Sequence, residues 1–574
     1  MRSRTPKLFS SPVNSPSGSI KSKANKGLRR GRSLALLALM MPAYVPSTPA
    51  AQREITLYGP MQLSPRNNDL VEDISRRSFR YFWEQMDPGT GLVLDRARFD
   101  GTPEDQPHHY GVASIAATGF GLTALAIGAE HRWVSPRLAR ARARTALEFF
   151  AYRAPQEHGW FYHFMDTRTG QRSWRCEVST IDTALLLAGI LTARTAFGDD
   201  PEIVRLATAI YNRVDFPWML DPSGLVLRHG WRPETGFLPY RWDTYSEQMI
   251  LYLLGIGSPT HPISPDAWYS WNLPVVQLAG HAYVGTGPLF TQQYSQAWVD
   301  LRGRGVPHPL EKNRFVPRVD YFANSVSATR AQQEFSLMLK PHFPGYSKKI
   351  WGITASESAR GYVNWGGSLA DTRIDGTVVP SAAGGSLVFA PDICIPAMRA
   401  MVDRFGKTIY GRYGFTDAFN PNTGWISPYV LGIDAGIILL SAENLRTMNV
   451  WQWFMSNADV ERGLDFVGYA PDLSLAFSNR APTVTPEKKP PPTGKNPLPA
   501  PSPPPSPSPP KSKYPPATFN TAYLLCGGEK GSRQSRVESR KLKAKGRSVR
   551  VSAPAADQTA SEARRRISRT WAGT

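Results

Sequence analysis

The chain of 574 residues carries 67 Lys and Arg against 46 Asp and Glu, a formal net charge of +21, but the excess is confined to its ends. Residues 1–51 hold nine basic residues and no acid, 481–520 hold five against one, and 521–574 hold thirteen against four, which leaves 52–480 at about −1. This balance excludes a broadly basic nucleic-acid-binding surface on the folded region, and three cysteines without a CxxC spacing exclude a disulfide-built scaffold.

The N-terminal stretch "GLRRGRS", "LALLALMMPAYV" and "STPA" has the basic, apolar and small-residue parts of an export signal. Twelve apolar residues are too few to span a bilayer, so the alternatives to a signal peptide are an uncleaved interfacial anchor and a misassigned start codon. An exported, periplasmic or extracellular protein is expected, with residues 1–51 as a basic extension carrying the signal.

From "LVEDISRRSFRYFWEQM" onward the dominant period is helical, and the helices are of two kinds. "YGVASIAATGFGLTALAIGA", "STIDTALLLAGILTARTAF" and "TYSEQMILYLLGIG" are apolar nearly all round, as helices buried on every side must be. "SPRLARARARTALEFFAY" and "DPEIVRLATAIYNRVDF" are amphipathic with charged outer faces. Their alternation, continued through "RVDYFANSVSATRAQQEFSLML", "PAMRAMVDRFG" and "GIDAGIILLSAENLR", predicts an all-α fold of concentric inner and outer rings, close to the twelve helices of an (α/α)6 barrel. One such domain over 52–480 is expected, followed by a Pro-rich extended linker over 481–520 and a basic, disordered tail over 521–574. The tail is a solvated charge run or a tether to anionic envelope material.

The connecting segments are long and aromatic: "EHGWFYHFMDTRTGQRSWRCE", "RHGWRPETGFLPYRWD" and "WGITASESARGYVNWGG". Long ordered loops in a compact domain are usually functional. Fifteen of the sixteen tryptophans lie within 83–453, in or beside these loops, so they either close the barrel ends as core or line a groove where indoles stack on sugar rings. Trp160, Arg241, Trp242, Trp351, Trp365 and Asp417 are the candidate sugar-binding residues. His163, His281 and His308 have no metal-ligand spacing, and neither a metal nor an organic cofactor is expected. Asp375 in "DGT" reads as a turn residue.

Two acidic motifs have matching spacing. Ser179 and Asp182 in "EVSTID", like Thr244 and Glu247 in "WDTYSEQ", fit the capping-box pattern ahead of an apolar helix. Both place an acid in a first helical turn, where the helix dipole favours its ionised form. Glu177 precedes its cap and is expected to project into the groove. Paired carboxylates suit glycoside hydrolysis, one protonating the leaving oxygen and one activating water or attacking the sugar. A lyase or isomerase on the same barrel, or a glycan binder without catalysis, uses the same residue types.

The motifs "YFWEQMDPGTGLVLDR", "HGWFYHF", "EVSTIDTALLLAG", "YSEQMILYLLGIGSPTHP", "GPLFTQQYSQAWVDLR", "DGTVVPSAAGGSLVFAP", "YGFTDAFN" and "YVLGIDAGIILLSAENLR" occur in order over residues 70–455. Together they resemble the glycoamylase-like domain of bacterial β-1,2-glucanases of glycoside hydrolase family 144. The resemblance implies an (α/α)6 barrel and hydrolysis of β-glucan, most of all β-1,2-glucan, with inversion and no cofactor. It implies Glu247 as general acid or its relay partner, Glu177 and Asp182 in the same cleft, and Asp434 in "GIDAG" as the opposing carboxylate. The partner would be a β-glucan oligo- or polysaccharide, bound by a monomer. Another β-glucan, transglycosylation, or an envelope glycan-binding protein are the alternatives. "TASESARGY" and "RSWRC" depart from the pattern, and both border the expected cleft.

Overall fold

A computed structural model describes residues 59–469 except 105, 305–318 and 367–370, and all of these fall in the same unit of the chain. The export signal, Pro-rich linker and basic tail expected from the sequence lie outside the described residues, as does His308.

The architecture is the expected (α/α)6 barrel. Its outer helices are α1 (Pro65–Gln85), α3 (Pro136–Tyr152), α5 (Pro201–Arg213), α8 (Tyr321–Met338) and α10 (Pro391–Phe405). Four of these begin with proline, whose fixed φ and missing N–H suit the first helical turn. Each shows an apolar stripe: α5 buries Ile203, Leu206, Ala207 and Ile210, and Asp200 caps it by accepting from the amides of Glu202 and Ile203. The inner ring consists of α2 (Ile115–Glu130), α4 (Thr180–Ala196), α6 (Met249–Ile256), α7 (Phe290–Trp298), the short α9 (Pro380–Gly384) and α11 (Gly432–Arg446). Every residue of α6 and α7 is buried, and in α2 all but the terminal Glu130. Two short helices, α12 (Asn449–Met455) and α13 (Ala458–Phe466), finish the described chain.

α2 and α4 meet at glycines. A Cβ on Gly119 would stand 2.2 Å from the Leu185 carbonyl oxygen, and one on Gly189 would stand 2.0 Å from the Gly119 carbonyl oxygen. The two backbones therefore touch, which only residues without a side chain permit.

Three inner helices are led in by short strands, and this arrangement places the functional acids. Val112–Ser114 precedes α2 and pairs with Phe164–Asp166; Val178–Ser179 precedes α4 and pairs with Gly230–Arg232; Tyr429–Leu431 precedes α11 and pairs with Arg96–Arg98. The long aromatic loops thus cross the N-terminal ends of the inner ring and are tied there by backbone hydrogen bonds.

Several expected boundaries shift. "YGVAS" is loop and strand rather than helix, and α6 begins at Met249, five residues later than the run starting at Thr244 suggested. α10 starts at Pro391 and carries Pro396 inside it. α7, in "LFTQQYSQAW", has five polar residues that give it no apolar signal, yet it is wholly buried. Its Gln292, Gln293, Ser295 and Gln296 all form hydrogen bonds to neighbouring segments. Among the described residues, no helix is long and apolar enough to cross a membrane. Cys176 and Cys394 are buried free thiols.

Candidate active site

Over the N-terminal ends of the inner helices lies a cavity with about 870 Å³ of space between its lining atoms, open mouth included. Glu177, Asp182, Glu247, Asp95, His163, His229, Tyr240, Trp242, Tyr294 and Tyr362 supply its polar and aromatic wall. Four of the residues singled out from the sequence, Glu177, Asp182, Glu247 and Trp242, meet here.

The first acidic motif folds as the spacing predicted. Ser179 is the N-cap of α4, and its Oγ accepts from the Asp182 amide at 3.3 Å and donates to Asp182 Oδ2 at 2.5 Å. Burial nevertheless raises the Asp182 carboxyl above its ordinary range, outweighing His163 and the Ser179 hydroxyl; the dipole-stabilised anion expected from the sequence does not describe it. Glu177 is fully buried. His163 Nδ1 lies 3.1 Å from its Oε1 and Arg232 donates to its Oε2 at 3.2 Å. Burial alone would raise this carboxyl, but the hydrogen bond and charge of His163, with Arg232, hold it down at about 2. The other ring nitrogen of His163 stands 3.4 Å from Asp182 Oδ1, so the imidazole bridges both acids.

The second motif folds differently. Thr244 does not cap α6: its hydroxyl donates to Asp243 at 3.1 Å, and the N-cap residue is Gln248, without a side-chain cap. Ser295 of α7 takes over instead, accepting from the Ile250 amide at 3.0 Å and donating to the Glu247 carbonyl at 2.5 Å. The Glu247 carboxyl is thereby released from any capping role. It faces the cavity, partly exposed, with no hydrogen bond or ion pair among the described residues. Burial, and then the charge of Asp182, raise it to about 8, so it is protonated at neutral pH.

Asp434 sits in the first turn of α11 beside Ile433, a lining residue, but just behind the wall. It is grouped with Asp417, whose Oδ2 accepts from the Glu357 amide at 2.8 Å. Asp417 Oδ1, Asp434 Oδ2 and Ser381 Oγ are buried without a hydrogen bond of normal geometry, yet the groups are close enough to bias one another's protonation. Burial and the neighbouring Asp434 charge push Asp417 far up; burial raises Asp434 to about 6. One proton shared by this pair leaves one carboxylate ionised. Glu357, the acid in the departing "TASESARGY", pairs with Arg96, which also pairs with Asp95 in the cavity wall.

The sugar-stacking expectation needs correction for three tryptophans. Trp160, Trp351 and Trp365 are buried in the core and none lines the cavity. Trp160 donates to the Asp215 carbonyl at 2.8 Å and meets Phe216 edge-on. Their large apolar area is consumed by core packing, Trp160 in one buried cluster and Trp351 and Trp365 in another. Arg241 also lies outside the lining, 3.3 Å from Asp221. Trp242 remains: stacked on His229 at 3.9 Å and donating to Thr180 at 2.9 Å, it is a rigid aromatic wall beside Tyr240. His229 is held down to about 4 by burial. Asp375 is a turn residue, accepting from the Thr377 amide.

His163, Tyr294, Tyr362 and Asp95 are site residues that sequence reasoning missed. His163 reaches Glu177 because its strand neighbours pair across the loop, with its amide donating to the Glu177 carbonyl at 3.0 Å. That register is not written in either segment alone. The departing "RSWRC" forms a tight turn two residues before Glu177: the Cys176 amide donates to the Ser173 carbonyl at 3.1 Å, and Trp174 and Arg175 both have positive φ, 54° and 52°. Turns with two such central residues favour Asn-Gly, and an L side chain there costs about 1–2 kcal/mol per residue.

Residues 239–458 match the family model Glycoamylase, described as "Putative glucoamylase". A curated exo β-1,2-glucooligosaccharide sophorohydrolase of Parabacteroides distasonis is 27% identical over 437 residues, 69% of this chain and 57% of that protein, so the chain spans little more than half of that relative's length. Among solved structures, the domain is similar to an endo-β-1,2-glucanase of Chitinophaga pinensis in complex with sophorotriose and glucose, at 25% identity and a TM-score of 0.64, covering 72% of this chain and all of that one. It is also similar to a β-1,2-glucanase of Parabacteroides distasonis, at 25% identity and a TM-score of 0.62, covering 72% of this chain and 61% of that one. Among the described residues, no cluster of three or more His, Cys, Asp or Glu side chains could hold a metal ion.

Proposed function

We propose that the protein is a glycoside hydrolase that cleaves β-1,2-glucan with Glu247 as general acid. The observation that carries this reading is the Glu247 carboxyl: raised to about 8, without a hydrogen bond among the described residues, and facing a cavity whose neighbouring acid Glu177 is held ionised. A protonated carboxyl in that position can give its proton to a glycosidic oxygen as the C–O bond breaks. Asp434, just behind the cavity wall and sharing one proton with Asp417, takes the proton of the attacking water through an intervening water, and the attacking oxygen bonds to the anomeric carbon, with inversion. Glu177 and Asp182, braced by His163, hold sugar hydroxyls, and Trp242 offers a flat face to a pyranose. The β-1,2-glucan-active relatives favour this substrate over other β-glucans.

Incubation of the purified chain with linear and cyclic β-1,2-glucans should release new reducing ends. No release from these, alongside release from β-1,3-, β-1,4- or β-1,6-glucan, would reassign the linkage; longer products would indicate transglycosylation. Calorimetric binding without cleavage would make it an envelope glycan binder. Anomeric NMR of the first product tests inversion. We also place the protein outside the cytoplasm, on the strength of its N-terminal "GLRRGRSLALLALMMPAYV". Cell fractionation with N-terminal sequencing of the mature chain tests that placement.

A further inference from the structure

We infer that Tyr294 is a positioning residue for the hydrolysis: its hydroxyl holds the water through which the attacking water passes its proton to Asp434. The inference rests on the reading of the cavity as a glycoside-hydrolase site, and it deepens that reading on the side of the base.

The place of Tyr294 is fixed by what brackets it. It stands on the inner helix α7 and lines the cavity together with Glu247 and Asp182. On one side its chain neighbour Ser295 bonds to the Ile250 amide and the Glu247 carbonyl, which ties this turn of α7 to the acid. On the other side its ring meets Phe120 edge-on at 5.8 Å, and Phe120 lies so close to α11 that a Cβ on Gly436 would stand 2.4 Å from its ring. Gly436 is two residues beyond Asp434. Phe290 flanks the same phenol at 5.1 Å. Tyr294 is thus wedged between the helix start that carries Glu247 and the one that carries Asp434.

Its oxygen has no partner in the protein. A phenol hydroxyl donates one hydrogen bond and accepts others, yet Tyr294, 5% exposed, makes none among the described residues. Asp434 Oδ2 is likewise buried without a hydrogen bond of normal geometry. Burial holds the Tyr294 phenol far above its ordinary range, and among charged groups Asp434 adds most to this, ahead of Glu247 and Asp182. Tyr362, the other phenol beside Asp434, is set among Asp417, Glu357 and Asp95 instead. Of the two, Tyr294 is the one that joins the acid to the base.

Buried polar atoms without a protein partner are characteristically bonded to water. A single water between Tyr294 and Asp434 satisfies both, giving one hydrogen to the phenol oxygen and the other to Asp434 Oδ2. Its lone pairs are then left to accept from the attacking water. The proton balance closes: the attacking water gives one proton to this water as its oxygen bonds to the anomeric carbon, and this water gives one to Asp434. Tyr294 keeps its own proton throughout.

The test is Tyr294→Phe, assayed on the β-glucan that the native protein cleaves. Its kcat should fall about tenfold or more, with KM within about twofold. Its Tm should not fall, because the oxygen removed has no protein partner. The pH profile is the readout that a structural role does not move. The acid limb, near 6 for Asp434, should shift to higher pH, since the carboxylate loses a hydrogen bond that favours its charged form, while the alkaline limb near 8, set by Glu247, stays. A kcat within about twofold of native, or an acid limb that stays in place, overturns the inference. So does a Tm that falls with kcat, which gives the hydroxyl a structural partner, and so does a loss carried by KM, which puts it on the sugar. In each of these cases the native protein still cleaves its glucan and the hydrolase reading stands; a native protein that cleaves none overturns both.

Discussion

Two helix starts in this chain carry the same hydroxyl-x-x-acid spacing and reach opposite outcomes. At α4, Ser179 caps the helix and binds Asp182, so the acid is occupied by the backbone's own needs. Ahead of α6, Thr244 turns away to Asp243, the helix starts later, and Ser295 from a different helix supplies the missing acceptor. Glu247 is thus left free beside the cavity. The difference teaches that a capping pattern states which groups need partners, while the fold decides who supplies them; an acid relieved of that duty becomes available for chemistry.

The comparison can be broken most sharply at Glu247. Glu247→Gln reproduces the shape and charge of the protonated acid, so kcat should fall by about 10²-fold or more with Tm unchanged. Equal losses of kcat and Tm would return Glu247 to a structural role. The pH profile is the next largest effect: kcat should decline as pH rises through about 8, where Glu247 loses its proton, and as it falls through about 6, where Asp434 gains one. In Glu247→Gln the alkaline limb should vanish from residual activity. Smaller effects separate the two caps. Ser179→Ala and Ser295→Ala should each cost about 1 kcal/mol in denaturant unfolding, because each leaves a first-turn amide without its acceptor. Thr244→Ala should stay within about 0.5 kcal/mol, and a loss as large as that of Ser179→Ala would show that Thr244 caps after all.

Stability against acid should follow Glu177. Its folded value near 2 lies below that of an unfolded glutamate, so its contribution is present above about pH 4.5 and is lost as pH falls through the folded value.

The barrel was legible because burial demands leave a local trace. α2 and α4 are apolar around their whole circumference and α3 and α5 on one stripe only, and that contrast marks inner and outer rings without knowledge of any contact. α7 escaped because its burial is met by hydrogen bonds from glutamines and serine, a pattern that looks like surface until the partners are in place. The tryptophans misled for a related reason. An indole in a loop has the same composition whether it stacks on a sugar or packs in the core, and Trp160 and Trp351 do the latter while Trp242 alone of the four expected indoles faces the cavity.

By itself the sequence determined the helical period, the two classes of helix and the acids at the ends of inner helices, since each is set by side-chain chemistry within a few residues. Tertiary structure decided which acid would be neutral. Glu177 and Glu247 are the same residue type; one is met by His163 and Arg232 and held ionised, the other is met by apolar wall and a neighbouring acid and held protonated. A carboxyl's charge is settled by what surrounds it within a few ångströms, and those surroundings come from segments far apart in the chain.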